Sequence, residues 1–79
     1  MKKFYLFKKE NTYFAFDPFY GELEELTMHP LEYYEHKYYV YRHNNLDDVK
    51  AILENYSVSY REQFKIVEFK FEVIETLIT

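Results

Sequence analysis

Lys2-Lys3-Phe4-Tyr5-Leu6-Phe7-Lys8-Lys9-Glu10-Asn11-Thr12-Tyr13-Phe14-Ala15-Phe16 sets two aromatic-rich runs around a polar joint. In an extended chain Phe4 and Leu6 share one face, and Tyr5 and Phe7 share the other. Past the joint, Phe14 and Phe16 fall on one face and Tyr13 and Ala15 on the other. Aromatic and branched residues suit a pleated, half-buried surface. Two such runs joined by Lys8-Lys9-Glu10-Asn11 predict a β-hairpin. Asp17-Pro18-Phe19-Tyr20-Gly21 ends the second strand, because Pro18 cannot donate to a ladder and Gly21 permits a turn.

Downstream the pattern weakens. Leu23, Leu26 and Met28 fit either a short helix or an irregular strand, so 22–36 receives no firm assignment. Pro30 argues against one continuous helix, and Leu31 to His36 has room for a single helical turn. Lys37-Tyr38-Tyr39-Val40-Tyr41-Arg42 alternates as a strand does, with Tyr39 and Tyr41 opposite Tyr38 and Val40. Asn45 is a good N-cap, and Asp47 and Asp48 follow where the helix dipole favours negative charge. Leu46, Val49, Ile52, Leu53 and Tyr56 then recur at helical spacing. They predict a helix over 46–55 that ends near Asn55.

The last stretch carries two patterns. Phe64, Val67, Phe71, Ile74 and Ile78 fit a helix, and Ser59 with Glu62 has the spacing of a capping box. Val67, Phe69, Phe71 and Val73 alternate with Glu68, Lys70 and Glu72, as in a half-buried strand. Glu68 and Glu72 would repel on a helix, so the strand is favoured. Phe64 and Ile66 fall on the opposite phase to Val67, which predicts a bulge near 66–67. The expected class is α+β. It is a small, mostly antiparallel sheet of about four strands in β-β-β-α-β order, with one main helix at 46–55 packed on one face.

The chain has 79 residues, enough for a single domain over 1–79 near the lower size limit for independent folding. It has no Cys, which excludes disulfides and thiol metal sites. One Gly leaves no phosphate-cradling glycine loop. No run reaches the ~18 apolar residues of a membrane span, and Lys8 and Lys9 interrupt the N-terminal apolar run before it resembles a signal peptide. Cytoplasmic localisation follows as an expectation. Phe, Tyr, Ile, Asn and Lys account for 34 residues, which suggests an A/T-rich gene, as in a low-GC bacterium or its phage.

Ten Tyr and eight Phe are more than a core this small needs, so a cluster of them on the surface would form a binding face. Charge is also segregated. Asp17, Glu22, Glu24, Glu25, Glu32 and Glu35 lie between residues 17 and 36 without one Lys or Arg. The rest of the chain carries ten bases and eight acids, so the net charge of −4 originates in that segment. Aromatic anchors with a charged rim are what a protein–protein contact requires. The candidate partner-binding residues are therefore Phe19, Tyr20, Glu22, Glu24, Glu25, Glu32, Tyr33, Tyr34 and Glu35.

Other chemistry finds less support. His29, His36 and His43 are evenly spaced, but Pro30 and the strand expected at 37–42 break any shared helix, and no His-Glu-x-x-His pattern occurs. They read as partly exposed loop histidines, with no metal and no cofactor. Ser57 and Ser59 lie in no nucleophile elbow, and the Asp47/Asp48 pair serves a helix start. The expectation is a protein that is not an enzyme. A single-strand nucleic-acid face would use Tyr38, Tyr39, Tyr41, Arg42, Tyr60 and Arg61, but two Arg and a net negative charge oppose phosphate contacts. The leading expectation is a non-enzymatic protein-binding module whose partner is a larger protein with a basic surface. Its most concrete form is a small phage-type inhibitor acting in the host cytoplasm on a nucleic-acid-handling protein such as a defence nuclease, an anti-defence protein of the anti-CRISPR kind. The alternatives are a self-associating structural protein that pairs as a homodimer and a weak single-strand nucleic-acid binder using an aromatic sheet face; no membrane partner is expected.

Overall fold

The computed structural model describes residues 2–37 and 43–71. Strands β1 (Lys2–Lys9), β2 (Thr12–Asp17) and β3 (Glu22–Glu25) come first. Helices α1 (Pro30–Lys37), α2 (Leu46–Glu54) and α3 (Val58–Arg61) follow, and β4 (Lys65–Phe71) closes the described chain. The strands form one antiparallel sheet in the order β3-β2-β1-β4. The α+β class, the four strands and the main helix agree with the expectation.

Burial explains the central position of β1. Phe4, Leu6 and Phe7 are almost wholly buried, and Tyr5 nearly so. A strand covered on both faces reads as a continuous apolar run, as Phe4-Tyr5-Leu6-Phe7 does. On one face Tyr5 and Phe7 meet Val49 and Ile52 of α2, together with Phe64. On the other, Phe4, Leu6 and Ala15 meet Tyr33 of α1, with Leu26, Met28, Val67 and Phe69 packed against them. The β4 register runs unbroken from Lys2 opposite Phe71 to Lys8 opposite Lys65. The expected bulge at 66–67 is therefore absent. Ile66 and Val67 point to opposite faces, and because both faces are covered, neither phase needs correcting.

Other expectations change. The joint of the first hairpin is two residues, Glu10 and Asn11, because Lys9 pairs with Thr12. Glu10 takes φ 55° there, the positive φ that the favoured two-residue hairpin loops have at their first position. The third strand is β3, in the segment left without assignment. Of the strand expected at 37–42, Lys37 ends α1 and residues 38–42 lie outside the described residues. Pro30 begins a helix here, at a first position where its missing N–H costs nothing. His29 caps that helix: its carbonyl accepts from the Tyr33 N–H at 2.9 Å and its Nδ1 from the Leu31 N–H at 3.2 Å. Helix α2 is capped by Asn45, whose side chain accepts from the Asp47 and Asp48 N–H groups at 2.9 and 3.2 Å. Ser57, not Ser59, caps α3, through the Tyr60 N–H.

One residue splits the sheet. The β1–β2 register pairs Phe7 with Phe14, Lys8 with Tyr13 and Lys9 with Thr12, and goes no further. By ladder alternation Tyr5 and Phe16 would be the next hydrogen-bonded pair. The Tyr5 N–H donates instead to the His43 carbonyl at 2.7 Å, and the Phe16 N–H to His43 Nε2 at 3.2 Å. An accepting Nε2 requires a neutral imidazole with its proton on Nδ1. His43 is 7% exposed, with the rings of Phe7 and Tyr33 edge-on at 6.3 and 6.2 Å. It is a buried wedge rather than the partly exposed loop residue its neighbours Asn44 and Asn45 suggest.

Polar contacts between β1 and β4 give a pH signature. The Lys70 ammonium, 3.2 Å from Glu68, holds that carboxyl below its ordinary range. Burial, then the charge of Glu68, push the Tyr5 phenol up. A depressed carboxyl stabilises the fold above its unfolded pKa, and that contribution is lost as pH falls through the folded value. A raised phenol has the opposite sign, with stability lost as pH rises past about 10. Glu68→Gln should therefore flatten the acid limb of stability against pH and reduce the alkaline limb only in part, because burial, the larger cause of the raised Tyr5 phenol, remains. Urea midpoints from about pH 7 down to about pH 3 measure this, and an unchanged acid limb refutes the assignment.

Candidate functional site

The β2–β3 hairpin builds the most exposed aromatic feature among the described residues. Asp17 Oδ1 accepts from the Phe19 N–H at 2.8 Å and from the Tyr20 N–H at 3.4 Å. The Gly21 N–H donates to the Asp17 carbonyl at 2.7 Å, and Gly21 itself takes φ 70°. A side chain there would be strained, which explains the chain's single glycine. This self-bonded turn leaves Phe19 85% and Tyr20 72% exposed, with the two rings edge to face at 5.1 Å.

A groove of about 390 Å³ opens behind the tip, between the sheet and the start of α1. Its volume follows from sequence. Ala15 is the small residue on a strand otherwise made of large ones, and its short side chain leaves a hollow opposite Glu24. The Leu26 N–H continues the β3 pairing to the Tyr13 carbonyl at 2.9 Å, which keeps Leu26 on the same face as Glu24. Leu26, Met28 and Tyr33 make the apolar walls, and Pro18 and Phe19 form the lip. Asp17, Glu24 and Glu25 supply carboxylates, and none of the described lining residues is basic. Among the described residues no ion pair holds Glu22, Glu24 or Glu25.

The residues singled out from sequence separate accordingly. Phe19, Glu24, Glu25 and Tyr33 come together at the groove, and Tyr20 stands beside Phe19. Glu22 lies exposed on the same hairpin, and Glu32 is exposed on α1 outside the lining. Tyr33 is not a surface anchor. It is 9% exposed and belongs to the second core cluster, because α1 lays it over Ala15 and Leu6. The side chains of Tyr34 and Glu35 lie outside the described residues. Ala15, Leu26 and Met28 escape sequence reasoning. The one available signal is the lone alanine among aromatics on β2.

Of the residues considered for nucleic acid, Tyr38, Tyr39, Tyr41 and Arg42 lie outside the described residues. Tyr60 is half-buried between Tyr56 and Phe64, at ring distances of 4.8 and 5.2 Å, and is not a free stacking platform. Burial, then neighbouring Tyr60, push the Tyr56 phenol up. Its hydroxyl meets no partner of hydrogen-bond geometry among the described residues. The described residues hold no group of three or more His, Asp or Glu able to grip a metal ion, and no helix long and apolar enough to cross a membrane. Comparison with protein-family models, with curated proteins and with solved structures gives no match to this chain.

Proposed function

We propose that this chain is a non-enzymatic protein-binding module that docks on a basic surface of a larger protein through the β2–β3 hairpin. The carrying observation is the tip itself: Phe19 and Tyr20, 85% and 72% exposed, beside a groove whose charged lining is acidic throughout. Large apolar side chains standing free of the core mark an interaction surface when they are grouped. Aromatic anchors supply contact area at low conformational cost, and a charged rim steers encounter with a partner of opposite sign. The turn is internally bonded through Asp17, so little ordering remains to be done on binding. In its most concrete form the module is a small inhibitor, of the phage anti-defence kind, that covers the nucleic-acid-binding surface of its target.

The test is an affinity pull-down with tagged protein from a lysate of the source organism and its neighbours, with and without nuclease. One dominant protein retained after nuclease treatment is expected. Phe19→Ala with Tyr20→Ala should reduce its retention at least about tenfold, since hot-spot anchors carry about 2 kcal/mol or more each. Glu22, Glu24 and Glu25 changed together to Lys should slow association and make it less salt-sensitive. Recovery that vanishes with nuclease, or retention indifferent to both variants, overturns the reading.

A further inference from the structure

The groove has a more specific shape than an acidic face. Its lining is apolar and small at Ala15, apolar at Leu26, Met28, Tyr33 and Phe19, and acidic at Asp17, Glu24 and Glu25. An occupant must match both parts. A long aliphatic stem ending in a cation does so, because the methylenes lie along apolar surface while the charged head reaches the rim. A flexible thioether such as Met28 adapts to such a stem. Between the two long cations, the planar guanidinium pairs with carboxylates through two parallel N–H groups and stacks on an aromatic ring. A bare ammonium can sit over a ring, as Lys8 does over Tyr13, but offers neither the parallel pair of N–H groups nor a planar face to stack. A metal ion is the poorer match, since no ligating cluster exists among the described residues. A second copy of this chain is also a poorer match, because β3 presents Glu22, Glu24 and Glu25 and would oppose its own charges.

We infer that the groove between β2, β3 and α1 is a socket for one arginine side chain of the partner protein, with the stem over Ala15 and Met28 and the guanidinium at Glu24 under Phe19. The inference rests on the docking reading above and specifies which partner side chain enters.

The probe is N-acetyl-L-arginine methylamide, added to the full chain with methyl groups followed by NMR. The Ala15, Leu26 and Met28 methyls should shift together and saturate with a dissociation constant on the order of 1–10 mM, as suits a fragment of this size. The citrulline analogue keeps the shape and loses the charge, and should bind at least about tenfold more weakly. The lysine analogue should fall between them. Glu24→Gln removes the charge at an exposed position and should weaken arginine binding several-fold while the spectrum stays folded. Ala15→Leu should abolish binding by filling the hollow, and Glu24→Gln keeps the test valid if that variant fails to fold. Equal binding of arginine and citrulline overturns the inference, as does absence of methyl shifts at tens of millimolar probe. Methyl shifts that depend on protein concentration alone would identify a second copy as the occupant and also overturn it. A pull-down partner that depends on Phe19 and Tyr20 but is indifferent to Glu24→Gln leaves the docking reading standing and removes only the socket.

Discussion

Phe7→Ala should destabilise the fold by about 3–5 kcal/mol, the range for emptying a buried aromatic site. Phe7 is fully buried between the β1 ladder and α2, pairs with Phe14 on one side and Ile66 on the other, and forms one wall around His43. A domain of 79 residues holds about 4–12 kcal/mol in total, so one substitution removes a large part of it. The void cannot close easily, because Val49 is held on α2 and Phe64 directly precedes β4. Urea unfolding followed by far-ultraviolet circular dichroism measures the loss, and Phe7→Leu, which keeps most of the volume, should cost about 1–2 kcal/mol. A loss below about 1 kcal/mol in the alanine variant would mean that the core is not organised around β1.

His43→Ala is the second large effect, at about 2–4 kcal/mol. Truncation leaves the Phe16 N–H without its acceptor, a desolvation cost of about 1–3 kcal/mol, and opens space between Phe7 and Tyr33. His43→Gln offers a side-chain oxygen for the same N–H and should recover about 1 kcal/mol. The specific readout is hydrogen exchange at Phe16. Its amide should be protected in the native chain and in the Gln variant, and should lose protection in the Ala variant. Because Phe7 and His43 touch, their double variant should cost less than the two single losses combined. Additive losses, or Phe16 protection that survives in the Ala variant, would remove the wedge from the account of the sheet.

What was legible in the sequence depended on whether local preference and tertiary position agreed. The first hairpin was readable because two aromatic-rich runs flank a polar joint, and both runs lie in the sheet. Helix α2 was readable because Asn45, Asp47 and Asp48 mark its start independently of packing. Strand β3 was not, since Glu22-Leu23-Glu24-Glu25 has little strand preference of its own. The Asp17–Gly21 turn brings it back along β2, and register does the rest. Pro30 read as a breaker because a helix start and a helix stop look alike around proline until the following turn is known to pack. Phe19, Tyr20 and the acids of the hairpin were visible as candidates from composition and charge. The groove was not visible, because it consists of volume missing at Ala15 between the β2–β3 hairpin and Tyr33 of α1. The burial of Tyr33 was not visible for the same reason: it is a property of where α1 lands, not of its neighbours in sequence.

Strand β3, an edge of the sheet among the described residues, also bears on how so aromatic a chain meets copies of itself. A free sheet edge is a template on which further chains can stack, and a composition of 23% aromatic residues would reward such stacking. At this edge three of the four strand residues are glutamates, so a copy arriving edge to edge meets its own charge at almost every step. The sequence that makes β3 a poor strand former thus makes it a poor seed for fibrils. Replacing those glutamates with neutral residues would leave the fold nearly as it is and expose the chain to ordered aggregation.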